Sequence, residues 1–303
     1  MTSIIESVEL RDPRAVIAAL RAGAAASGSA RCRRGSIDLI EAAPGERLIA
    51  TGDLHDNPLH LMRLVRAAGL DANDPAAATP AHLTLHELIH GERLVNGLDY
   101  SYRVLARIAA LKAAFPEHVH VLLANHELAQ LTGSLVAKDG VRCNEAFDEA
   151  LDVSFGDNAQ DVRQAVLDFI CSLPLAARFR REGQPDILCA HSLPAPDLMD
   201  RFDPAVIERD LTEDDYVSRR GSAHLMVWGR AHTPDQLAKL GERWGVGLFI
   251  LGHEKAESGV MIVAPNAVVL NSDHEQGVYW PIELDGVTHW RDAHASAVKL
   301  DSR

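Results

Sequence analysis

Four short apolar runs in this chain each stop on an aspartate, an asparagine or a histidine. Arg47–Thr51 leads into Gly52-Asp53-Leu54-His55, and His118–Leu123 into Ala124-Asn125-His126-Glu127. Asp186–Ala190 leads into His191, and Leu248–Leu251 into Gly252-His253. Short apolar runs of this kind read as buried strands. In open α/β sheets, ligands gather outside the carboxyl ends of the strands, so four such ends with oxygen and imidazole donors predict one polar centre. Helical spacing separates the runs, at Pro13–Ala26, from Leu59 to Val65, Tyr100–Ala114, Ala159–Ser172 and Pro234–Trp244, with a further helix near Asp203–Asp210. More strands are expected at Ile37–Glu41, Leu83–Ile89, Val260–Val263, Ala267–Leu270 and Val278–Ile282. Helix and strand alternate early and strands cluster late, which predicts an α/β class with mixed sheets. The Asp/Ala/Pro-rich stretch Asp71–Pro80 reads as a loop. No repeat, low-complexity linker or break in composition divides the 303 residues, so a single domain is expected.

Composition narrows the chemistry. Fifteen histidines is a high count for this length and points to metals and proton transfer. Cys32, Cys143, Cys171 and Cys189 lie far apart and form no Cys-x-x-Cys, which argues against a thiolate zinc site and fits reduced thiols in a cytoplasm. Oxygen donors mixed with imidazoles suit Mn, Fe or Zn. So many candidate ligands imply two ions, and a metal pair roughly 3.5–4 Å apart is a device for in-line displacement at phosphorus. A net charge of −13 excludes an extended nucleic-acid or anionic-membrane surface while leaving room for a local basic pocket. No apolar run approaches the roughly 18 residues of a membrane span, and the first thirty residues show no signal-peptide pattern.

The ordered set Gly52-Asp53-Leu54-His55, Asn125-His126-Glu127, His191 and Gly252-His253 resembles the calcineurin-like metallophosphoesterase superfamily. Ile187-Leu-Cys-Ala-His191, Leu225-Met-Val-Trp228-Gly-Arg230 and Phe249-Ile-Leu-Gly-His253 resemble its phosphoprotein-phosphatase and diadenosine-tetraphosphatase branch. The resemblance implies a four-layer α/β/β/α sandwich of two mixed β-sheets flanked by helices. The motif-bearing core would span about 47–275, after an N-terminal helix and first strand in 1–46, with C-terminal strands in 260–285. It implies two divalent transition-metal ions (Mn, Fe or Zn), with Asp53 and His55 on the first and Asn125, His191 and His253 on the second. His126 would be the general acid for the leaving oxygen, and a metal-bridging hydroxide would attack phosphorus. The substrate would be a phosphate ester: a small molecule, a nucleotide or a phosphoprotein.

The departures are as informative. The family's Gly-Asp-x-x-Asp-Arg-Gly, whose first Asp bridges the metals, is absent. The nearest string is Gly91-Glu92-Arg93-Leu94-Val95-Asn96-Gly97, which keeps both glycines and makes Glu92 the preferred bridging ligand. Glu87 is the rival, because His90 lies three residues on, where the family has its second Asp; that register would end the strand at Leu85. The Arg-Gly before the Asn-His-Glu motif is here Leu123-Ala124, so Arg230 is the candidate to bind the phosphoryl group. His86-Glu87-Leu-Ile-His90 is also a literal zincin metalloprotease signature, which requires a helix. Alternating leucines after Pro80 speak for a strand instead, and the helix at Tyr100–Ala114 offers no acid as a third ligand. A non-catalytic metal-binding relative is the remaining alternative. His274 and the Arg219-Arg220 pair are further candidates near the centre. The four tryptophans are expected in packing, and His118 and His120 share one strand face and are expected to meet neighbours rather than metal.

Overall fold

Apolar residues on both faces of a strand need cover on both sides. The computed structural model, which describes residues 3–71, 79–138 and 140–301, provides that cover with two sheets and helices outside each. The loop read at Asp71–Pro80 falls, for residues 72–78, outside the described residues. The strands are β1 (Arg33–Arg34), β2 (Ile37–Glu41), β3 (Arg47–Thr51), β4 (His82–Leu85), β5 (Val119–Val121), β6 (Ala137–Lys138), β7 (Val141–Arg142), β8 (Ala176–Arg181), β9 (Gln184–Ala190), β10 (Val246–Leu251), β11 (Val260–Val263), β12 (Ala267–Leu270), β13 (Val278–Glu283) and β14 (Val298–Lys299). One sheet has the order β1-β2-β8-β9-β10-β12-β11 and the other β14-β13-β3-β4-β5, while β6 and β7 form a separate hairpin. Both large sheets are mixed. β3, β4 and β5 run parallel with β13 antiparallel to β3, and β9, β10 and β12 run parallel, with β8 antiparallel to β9 but parallel to β2, and β11 antiparallel to β12.

The period-two alternation sorts the core into layers. Leu48 and Ala50 of β3, Ile187 and Cys189 of β9, and Leu248 and Ile250 of β10 join Phe179 and Trp280 in the cluster shared by the two sheets. Their neighbours Ile49, Leu188, Phe249 and Leu251 point outward into a second cluster, which holds the apolar sides of the helices. Those helices are α1 (Pro13–Ser29), α2 (Pro58–Ala67), α3 (Tyr102–Ala114), α4 (Asn125–Thr132), α5 (Cys143–Phe155), α6 (Ala159–Cys171), α7 (Ser222–Trp228) and α8 (Pro234–Trp244), with the single turn α9 (Ala293–Ser296) near the end of the chain. Local sequence fixes their limits. In α8, Thr233 and Gln236 form a reciprocal capping box and Gly245 closes the helix in the left-handed conformation, as small C-terminal residues do. The mixed α/β sandwich expected from the sequence is thus the observed architecture.

Two expected elements differ. The helix near Asp203–Asp210 is a 3-10 turn at Pro204–Glu208. The strand expected at Leu83–Ile89 stops at Leu85. The next residues leave the sheet because Glu87 and His90 take φ of 50° and 60°, and the Leu88 and Ile89 N–H groups turn to the Glu127 carboxylate instead of a neighbouring strand. No helix among the described residues is long and apolar enough to cross a membrane.

Candidate metal centre

The carboxyl ends of β3, β4, β5, β10 and β12 open toward one cleft of about 340 Å³, and His191 at the end of β9 lies buried behind it. Asp53 follows β3 and forms isolated parallel bridges with His86 beyond β4 and with Asn271 beyond β12. It therefore sits where a strand end of one sheet meets a strand end of the other. The backbone N–H of His253 donates to both Asp53 carboxylate oxygens, at 2.9 and 3.1 Å. This approach needs Gly252, where a Cβ would lie 2.2 Å from Asp53 Oδ1.

Glu87 occupies the middle. Its Oε1 lies 3.4 Å from His55 Nε2 and 3.8 Å from His126 Nε2, and its Oε2 lies 3.0 Å from His191 Nε2. Three groups of donors lie close enough to hold an ion: His55, Glu87 and His126; Glu87, His191 and His253; and Asp53, His86 and His191. Asn125, the first residue of α4, brings its Oδ1 to 2.7 Å from His191 Nε2. Asp53, His55, Asn125, His126, His191 and His253 are therefore brought together, as the strand-end pattern anticipates. Glu92 is not among them. It is exposed on the rim of the cleft, because β4 ends early and the bend at Glu87 brings that side chain inward in its place. The preference for Glu92 read from glycine spacing is corrected by this register.

His86 and Asn271 are additional. Each follows an apolar run, so the strand-end rule that located the other donors applies to them as well. The Thr51 carbonyl can only accept a hydrogen bond, so His86 Nε2 donates to it at 3.0 Å. In the neutral ring, His86 Nδ1 then carries a lone pair, 3.1 Å from His191 Nδ1 and 3.5 Å from Asp53 Oδ1. The same bend disposes of the protease motif: His86-Glu87-x-x-His90 is not helical, and His90 Nδ1 is bonded to Asp99 Oδ2 at 2.8 Å. His274 lines the cleft, but its ring accepts from the Gln276 N–H and donates to the Ala256 carbonyl, which leaves no lone pair for an ion. Arg230 is exposed at the mouth and donates to the His253 carbonyl at 2.7 Å. Arg219 lines a different pocket, beside Trp228.

Electrostatics follow from burial and mutual charge. Burial pulls the His253 imidazole down to about 3, aided by His191, and burial pulls His126 down to about 4 against the pull of Glu87. Burial alone would raise Glu87, yet His126, His191 and His55 together hold it well below the usual carboxylate range. Burial, then the Glu87 charge, pushes Glu127 up to about 7. The donor set fits divalent ions: His253 Nε2 is buried without a hydrogen-bond partner, and imidazole and carboxylate donors converge within 4.8 Å of one another, beside the Asn125 amide oxygen and without thiolate. A separate buried group, Cys32, Asp38 and His120, fits an ion poorly, because Arg33 already pairs with Asp38 at 2.8 Å and Lys112 stands 3.9 Å away.

A sequence profile of calcineurin-like phosphoesterases matches residues 46–256, which include the strand ends from β3 to β10. The chain belongs to the calcineurin-like phosphoesterase family. Family membership makes it a metal-dependent phosphoric ester hydrolase. A serine/threonine phosphatase from Saccharomyces cerevisiae with similarity to human phosphatase PP5 shares the fold at a TM-score of 0.65 and 14% identity, covering 90% of this chain and 83% of the yeast chain. A cold-active protein-tyrosine phosphatase of a psychrophilic Shewanella matches at a TM-score of 0.57 and 15% identity, over 82% of this chain and 78% of that one. No protein of curated function matches this phosphoesterase in sequence.

Proposed function

We propose that this single-domain phosphoesterase hydrolyses phosphate esters at a two-ion centre in which Glu87 is the shared ligand. The observation that carries the reading is the position of Glu87, whose two oxygens face His55 on one side and His191 on the other. Asp53 and His55 would hold one ion and Asn125, His191 and His253 the second, with the His86 lone pair beside Asp53 and His191. Such ions, when bound, supply Lewis acidity toward the phosphoryl oxygens and an acidified water.

The chain's own groups do the rest. Arg230, held at the mouth by the His253 carbonyl, presents the rest of its guanidinium fork to phosphoryl oxygens. Burial pulls His126 down to about 4, so the ring is neutral at pH 7. An anionic phosphoryl group beside it raises its proton affinity, which lets Nε2 carry the proton that the leaving oxygen takes. The test is a pair of conservative variants assayed for bound metal and for nitrophenyl phosphate turnover. Glu87→Gln is expected to lower metal content and abolish turnover, while Glu92→Gln keeps its metal. The reverse outcome returns the shared ligand to Glu92, and metal without turnover in the wild type would favour a non-catalytic binding protein.

A further inference from the structure

A cavity of about 520 Å³ lies apart from the catalytic cleft and shares no lining residue with it. The two lie back to back on the same segments: His55 and Glu92 face the cleft, while Asp56 and Arg93 face the cavity. Four arginines line it, Arg11, Arg93, Arg103 and Arg107, against two acids, Glu9 and Asp56. This excess of cations runs against a chain with 43 acidic and 30 basic residues.

Arg93 is committed to the wall. It donates to the His55 carbonyl at 2.6 Å and pairs with Asp273 of the catalytic cleft. The other three guanidinium groups make no ion pair and donate no side-chain hydrogen bond among the described residues. Arg103 is held by aromatic rings, 4.4 Å over Tyr100 and 5.7 Å from Tyr102. Arg107 is half-buried, and its Nε is fully buried without any partner. Arg103 and Arg107 stand four residues apart on α3, a spacing at which like charges meet and repel. Unpaired, partly desolvated guanidinium groups oppose folding unless an anion joins them, and their planar forks match the oxygens of a phosphate.

We propose that this cavity binds a multiply charged phosphate-type oxyanion through Arg103, Arg107 and Arg11. The anion is either a free polyanion or the distal phosphate of a substrate whose scissile ester lies across the Arg93–Asp273 wall.

The test uses the full chain as purified, with inorganic pyrophosphate as the probe and calorimetric titration as the readout, so it does not depend on turnover. Arg103→Gln and Arg107→Gln are each expected to weaken pyrophosphate binding at least tenfold, while Arg230→Gln at the catalytic mouth leaves this site's affinity unchanged. Thermal midpoints check folding. Should half-buried Arg107 prove necessary for folding, exposed Arg103 still decides the matter. In the wild-type enzyme, pyrophosphate that changes kcat toward nitrophenyl phosphate marks a free effector, whereas pyrophosphate that competes only with a doubly phosphorylated ester marks the substrate's far end. Equal affinity in wild type and folded Arg103→Gln overturns the proposal, as does binding that only Arg230→Gln or chelation removes.

Discussion

Glu127 never faces the cleft, yet replacing it with leucine is expected to dismantle the metal centre. Its Oε1 accepts the backbone N–H groups of Leu88 (2.7 Å) and Ile89 (3.2 Å). These are the residues that follow Glu87, and the bend they make requires a glutamate at φ 50° and a histidine at φ 60°. Backbone of this kind is held only when its surroundings over-determine it. Glu127→Leu strands two buried donors, at about 1–3 kcal/mol each, so the loss is about 2–6 kcal/mol. Against a typical stability of about 5–15 kcal/mol this is a large share. Glu127→Gln keeps an acceptor at Oε1 and exchanges Oε2, which has no partner, for an amide donor; about 1–3 kcal/mol is expected. The assay is urea unfolding of both variants with metal quantified per chain. A large loss of midpoint and metal for leucine, and a small one for glutamine, is the expected order. Wild-type midpoint and metal in Glu127→Leu would refute the idea that this carboxylate shapes the Glu87 turn.

Other expectations can be checked directly. His126→Ala should fold and bind metal while slowing turnover about 10²–10⁴-fold on esters with basic leaving groups, and less on nitrophenyl phosphate; equal losses on both would remove the general-acid role. Burial, then the neighbouring His120, pulls His82 from 6.5 down to about 3, so the unfolded chain binds the extra proton between those values. Its contribution to stability is present above pH 6.5 and lost as pH falls toward 3, with a slope of at most about 1.4 kcal/mol per pH unit. His82→Phe should make the acid decline of the urea midpoint shallower, and an unchanged slope would count against it. Gly252→Ala places a methyl group against Asp53 and should deplete metal in calorimetric titration; normal affinity would show that Asp53 can give way.

How far the centre was legible depends on where its information resides. Asp53, Asn125, His191 and His253 each follow a strand whose apolar run is continuous in the chain, so a local rule finds them. Glu87 follows one too, but Leu88 and Ile89 continue the apolar pattern beyond the true strand end. They are buried as loop residues, and their backbone partner, Glu127, lies 39 residues away from Leu88. Periodicity carries no record of such a partner, and the glycines around Glu92 offered a more regular alternative. The arginine cavity is harder still to read from sequence. Arg11 precedes α1, Arg93 lies in a loop, and Arg103 and Arg107 are on α3, so only the fold brings them together.

The pairing of Asp53 with both His86 and Asn271 bears on how the enzyme is made. A growing chain that has reached the end of α4 already possesses Asp53, His55, Glu87, Asn125 and His126. It still lacks His253, whose amide fixes the Asp53 carboxylate from 200 residues further on. Contacts of such long range form late, after the closure of a large loop, and a cage finished last cannot capture ions on a half-made protein. Ion uptake in a refolding experiment would therefore coincide with the burial of Trp280 between the two sheets and mark the moment at which they close on each other.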